Sequence, residues 1–238
     1  MTVPVMPLEF ADARETADLA AFLARLLHYD RAAAVRMQAG GSALAVFGRP
    51  PSFEVLAIRT ARLTGRHAFD ITVSAGELLE SLGSSGTEGG ADPGPLPAAV
   101  TGPPWTGVLP PRGGWHELQG LPDPVSLRKA VTAAVAEFRT RDEALPEPRR
   151  TRTERDRIGR EIWSRTIGTT VLPLRAVHAA LSLGFLRPAP DFPVALLAAG
   201  AWLRLRTPFG SIALRGHDSG HDSGHDSGFG GGFAVSVG

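Results

Sequence analysis

The chain contains no cysteine. Disulfides, thiolate metal sites, iron–sulfur clusters and cysteine nucleophiles are therefore excluded. Lysine is nearly absent as well: Lys129 is the only one among 25 basic residues, the rest being arginine. Those 25 positive side chains face 24 acidic ones, so a formal charge of +1 supplies no global field for a polyanion or an anionic membrane. No apolar run approaches the roughly 20 residues that a membrane span needs. The opening stretch MTVPVMPLEFADARE lacks a basic n-region and an unbroken apolar core, so no signal peptide is expected and a cytoplasmic setting follows. Several catalytic signatures are missing: there is no G-x-S-x-G elbow, P-loop, H-E-x-x-H or Rossmann G-x-G-x-x-G.

What is present reads first as architecture. Asp12 followed by Glu15 forms an Asx version of the capping box. Leu19, Phe22, Leu23, Leu26 and Leu27 then follow at helical spacing, which predicts an amphipathic helix. Val5 to Phe10 precedes it as a short edge strand. Segments 34–39, 43–47 and 53–63 read as three strands, with Gly40-Gly41 and Arg49-Pro50-Pro51-Ser52 as turns. A fourth strand at 69–73 leads into Ser74-Ala-Gly-Glu77, which caps a short helix. Helices follow after Asp123-Pro124, at 153–165 and at 172–185. Strands 194–198, 202–206 and 210–214 close the pattern.

Val35–Arg59 and Val194–Arg215 align as an internal repeat, with Gly41 on Gly200, Leu44 on Leu203 and Phe53 on Phe209. The expected fold class is α+β, with two related units of a helix plus a three-stranded antiparallel meander. The expected units are 1–82 and 123–216, bridged by a Pro/Gly-rich linker or docked irregular segment at 83–122. Trp105 and Trp115 pin that bridge. Residues 217–238 carry three tandem G-H-D-S units and a glycine run, and read as a disordered tail.

Chemistry is sparse by comparison. His217, Asp218, His221, Asp222, His225 and Asp226 are metal-capable, but lack a preorganised frame. No metal, cofactor or catalytic residue is therefore assigned. Arg149, Arg150, Arg152, Arg155, Arg157, Arg160 and Arg165 form the one basic cluster, interleaved with Glu147, Glu154, Asp156 and Glu161. Such alternation predicts a salt-bridged, solvated helix face. Arg149, Arg150, Arg152, Arg157 and Arg160 are the candidate nucleic-acid contacts of the alternative function. His178 falls on an apolar helical face as a core or boundary histidine.

The order of strands and helices is similar to the βαβββ repeat of DNA sliding clamps. FDITVSAGELLESL (69–82) resembles its strand–helix segment, and VALLAAGAWLRLRTPFGSIAL (194–214) its closing meander. That resemblance implies a topology and a DNA-facing surface of basic helices. Helix 12–28 departs from it, setting Asp12, Glu15 and Asp18 against Arg14 and Arg25. The chain also resembles an uncharacterised actinobacterial family, which implies no activity. The expectation is a non-catalytic interaction or regulatory module with a protein partner or a second copy of itself. A nucleic-acid-associated protein and an enzyme with an unrecognised site are the alternatives.

Overall fold

A computed structural model describes residues 8–84, 96–188 and 192–216. Helix α1 (Ala13–Tyr29) begins where the Asp12 carboxylate accepts the Glu15 N–H at 3.0 Å. Its apolar stripe buries Leu19, Phe22, Leu23 and Leu26, each contributing about 2 kcal/mol of transfer free energy. Strands β1 (Ala34–Gly48) and β2 (Leu56–Ser74) then pair antiparallel along nearly their whole length. Ser74 ends β2 and caps helix α2 (Ala75–Ser84), its hydroxyl lying 3.4 Å from the Glu77 N–H.

The strand boundaries here differ from the sequence expectation. Segments 34–39 and 43–47 are one strand, and 53–63 and 69–73 belong mainly to another. Gly40-Gly41 does not reverse the chain. Gly41 adopts φ 64° and marks a register shift, where pairing jumps from Gly41↔His67 to Ala43↔Arg62. A left-handed glycine serves a strand irregularity as readily as a turn, so the two share one signal. The segment at 49–54 does reverse the chain.

Residues 96–118 run over the sheet and include a 3-10 turn (Pro104–Gly107) and the short strand β3 (His116–Leu118). Sequence patterning missed β3. Helix α3 (Pro124–Glu143) is capped by Asp123, whose carboxylate accepts the Val125 and Ser126 N–H groups. Helix α4 (Arg152–Trp163) is capped by Thr151, and α5 (Leu174–Ser182) follows. The chain closes in the meander β4 (Ala195–Ala199), β5 (Trp202–Thr207) and β6 (Gly210–Arg215), as expected.

The fold is α+β. Among the described residues, five helices accompany one six-stranded antiparallel sheet in the order β1-β2-β6-β5-β4-β3. The main core joins the helices to one face of this sheet through residues such as Val46, Ala57, Leu205 and Ile212. Phe47, Leu56, Ile58 and Ala213 point the other way and are covered by Trp105, Leu109 and Trp202. Trp105 thus anchors the irregular segment on the sheet's second face. The N- and C-terminal strands meet only at Leu56↔Ala213, Ala57↔Ile212 and Ile58↔Ser211.

Buried charge reinforces that seam. The Arg59 side chain, 7% exposed, donates to the Phe209 carbonyl at 2.7 Å and to Asp18 at 3.2 Å. Asp18 also accepts from Arg187 at 2.6 Å. One carboxylate on α1 therefore holds arginines from both halves of the chain. No helix among the described residues is long and apolar enough to cross a membrane.

Candidate functional site

The end of α4 and the start of α5 form one wall of an open groove of about 480 Å³. Ser164 and Thr166 follow α4, and an isolated bridge between Thr166 and Pro173 closes the connecting loop. Val171 lies within the loop so closed and is 61% exposed. Pro173 precedes α5, and Arg175 stands on its first turn. The β4–β5 hairpin and the end of β6 form the opposite wall, with Gly200, Trp202, Leu214 and Arg215 lining it. Gly200 takes φ 53°, and the Gly216 N–H donates to the Ala201 carbonyl at 2.7 Å, which fixes the rim.

The electrostatics of this groove are one-signed. Among the described residues Arg175 and Arg215 line it, and no carboxylate or imidazole does. Arg175 Nε is sealed from water without a hydrogen-bond partner. The nearby Glu54 carboxylate lies 3.9 Å away and its side chain is 74% exposed, so it neutralises Arg175 only weakly. Glu54 is also the one non-glycine residue with a left-handed backbone among those described, at φ 53°. The groove can hold an apolar segment with a carboxylate.

The arginine segment has a different character. Arg149 and Arg157 both engage Glu154, at 3.4 and 2.9 Å. Arg150 donates to the carbonyls of Leu145 and Glu143, Arg152 pairs with Asp156 at 3.8 Å, and Arg155 meets Asp142 at 2.7 Å. Arg165 reaches Glu137 at 2.6 Å, and Arg141 reaches Glu161 at 2.7 Å. The Arg141 hydrogen bond holds the Glu161 carboxyl down at about 2. The Arg155–Asp142, Arg141–Glu161 and Arg165–Glu137 pairs fasten α4 and the residue after its cap to α3, while the Glu154 and Asp156 pairs stay local to α4. Of the five candidate nucleic-acid contacts, only Arg160 has a side chain that forms no hydrogen bond or ion pair with a described residue.

His178 stacks on Trp163 with ring centroids 4.3 Å apart and meets the Phe53 ring edge-on at 5.1 Å. Burial pushes its imidazole pKa down. Its setting is an aromatic cluster with Trp163 and Phe53, beside α3 residues Val131 and Val135. Among the described residues no group of three His, Asp or Glu side chains could hold a metal ion. The His/Asp units at 217–226 lie outside the described residues, as does the first half of the expected strand 5–10, although Phe10 bridges Leu63.

Sequence reading missed the groove because its two walls are far apart along the chain. It also missed a feature of β5 that was within reach. The alternation Trp202-Leu203-Arg204-Leu205-Arg206 places Trp202, Arg204 and Arg206 on one face. Trp115 covers Arg204, its ring centroid 5.8 Å from the guanidinium carbon, while its indole N–H donates to the Pro111 carbonyl.

An α+β architecture with helices on one side of an antiparallel sheet is the class this geometry defines. Comparison with solved structures places it among clamp-like folds. The DNA polymerase sliding clamp from Caulobacter crescentus matches with a TM-score of 0.50 at 12% identity, over 87% of this chain and 65% of that one. A sliding clamp from Pseudomonas aeruginosa matches with a TM-score of 0.47 at 12% identity, over 92% of this chain and 66% of that one. The chain thus spans about two thirds of the length of these clamps, and the likeness is one of fold. Residues 3–107 match the family described as Domain of unknown function (DUF8010), and residues 110–219 match Domain of unknown function (DUF8185). No curated protein matches the sequence.

Proposed function

We propose that this chain is a non-catalytic, cytoplasmic protein-interaction module that seats a partner segment in the groove between the α4–α5 loop and the β4–β5 hairpin. The groove itself carries the reading. Its 480 Å³ falls within the range of built binding sites, and its rim combines exposed Val171 with half-buried Trp202 and the two arginines. Aromatic and arginine side chains are the types that anchor protein interfaces. A photo-crosslinking residue at position 171 is expected to give one discrete adduct, lost in a Trp202→Ala background. No adduct, or an equal yield from exposed position 152, would sink the reading.

A second reading, self-association, is favoured by β1. This strand is 15 residues long, lies at the edge of the sheet and pairs with β2 alone among the described residues. Its one charge, Arg36, is occupied by Asp70 at 2.7 Å. Long edges with so little charge are templates for pairing with another chain.

A further inference from the structure

Most other packed arginines among those described have an oxygen within hydrogen-bond distance, whereas Arg175 has only Glu54 at 3.9 Å. Arg59 has Asp18 and the Phe209 carbonyl, Arg36 has Asp70, Arg187 has Asp18 and Arg128 has the Arg187 carbonyl. Arg204 has none. Its guanidinium forms no hydrogen bond or ion pair with a described residue, and its Nε is sealed from water. Burial pushes its pKa down, and Arg206 adds to that by repulsion. Glu117 shares its face but sits beyond Leu197 in the register, two strand spacings or about 10 Å away. A half-buried guanidinium without a counter-charge costs stability. Its partial compensation, the Trp115 ring at 5.8 Å, is weak.

The surroundings say what would offset that cost. Trp202 and Arg206 flank Arg204 on the same strand face, and Arg215 lies directly opposite Trp202. Trp202 and Arg215 also line the groove, whose Leu203 and Leu214 belong to the helix-covered face, so the Arg204 face and the groove share only this rim. The Arg204 face is positive, with apolar and aromatic ground between its charges. The guanidinium fork matches a carboxylate in two parallel hydrogen bonds. A peptide also supplies the apolar side chains that Trp115 and Trp202 are placed to meet.

Building on the reading of this chain as an interaction module, we propose that the surface docks an extended acidic segment of a partner protein, with one carboxylate forked onto Arg204. The test uses the full chain and two fluorescein-labelled peptides, (Glu-Val)4 and (Gln-Val)4, followed by anisotropy. Wild type should bind the glutamate peptide at least about tenfold more tightly, and Arg204→Gln should erase that preference. Thermal melts accompany it: Arg204→Gln should leave the midpoint unchanged or raise it, because an uncompensated charge is removed. A fall in the midpoint would make Arg204 a structural residue and overturn the proposal. Equal binding of both peptides, abolished by Val171→Glu, would overturn the carboxylate site while leaving the interaction reading standing. Binding of neither peptide would remove both. Tighter binding of an eight-residue oligothymidylate, lost in Arg204→Gln, would show a phosphate site instead. A gain of affinity on truncation after Gly216 would show the surface to be filled by the chain's own Asp-bearing tail, and would overturn it as a site for a partner.

Discussion

Arg59 and Arg204 are both arginines on sheet strands, and they make opposite predictions. Arg59 is 7% exposed and holds Asp18 and the Phe209 carbonyl. Replacing it with Met removes the buried partner of Asp18 and Glu15, which keep Arg187 and Arg62, and frees the Phe209 carbonyl. The expected loss is about 2 kcal/mol in denaturant unfolding. Acidification tests a second residue-level contact. The folded-state pKa of Glu161 lies at about 2, below its ordinary 4.5. Its contribution is therefore complete above 4.5 and lost as pH falls through about 2. Hydrogen exchange in α4 should accelerate over that window, and Glu161→Gln should flatten the response. His178 has the same sign at higher pH. Its lowered pKa means that the unfolded chain binds the proton first, so stability falls as pH drops below about 6.5. The arginine alternation of 149–165 revealed its solvated, salt-bridged character in the sequence. The isolation of Arg204 did not show there, because it depends on which carboxylates fail to reach it.

Among the elements, helices were far more legible than strands. The Asp12, Ser74 and Asp123 caps each sit where a local signal put them. A helix's stripe and its cap lie within a few residues, so the chain itself carries the information. Strand limits depend on partners elsewhere. Gly41 and Gly200, aligned in the repeat, both take a left-handed backbone, at φ 64° and 53°. One marks a shift inside β1 and the other turns the β4–β5 hairpin. The local conformation was readable and its topological use was not. β3 escaped because its three residues become a strand only by pairing with β4. A Cβ added to either glycine would meet nothing within 4 Å, so backbone conformation decides substitution there. Gly200→Asn should be nearly neutral and Gly200→Val should cost about 1 kcal/mol or more in thermal unfolding. For β1, light scattering should report a dimer that Ala39→Lys with Ala43→Lys converts to monomer. A monomer in the unsubstituted chain would remove the self-association reading.

At the scale of the whole molecule, one sheet and one main core run through residues from both ends of the chain. The halves should therefore melt together. Calorimetry is expected to show a single transition, and Ala213→Asp at the β2–β6 seam should lower it without splitting it. Two resolved transitions would show that the seam contributes little. The α+β class and the closing meander were visible in the pattern of elements. The joining of the two halves into one sheet was not, because it rests on three residue pairs with no distinctive sequence.

That seam also bears on how the protein is made. Arg59 and Phe209, which fasten it, stand 150 residues apart. At a synthesis rate of about 5–20 residues per second, Leu56–Ile58 would wait roughly 8–30 s after emerging before their neighbours on β6 exist. During that interval the apolar second face of β2 lacks its adjoining strand. A nascent chain stalled before residue 210 is thus expected to engage holdase chaperones, and release of the completed chain to end that engagement.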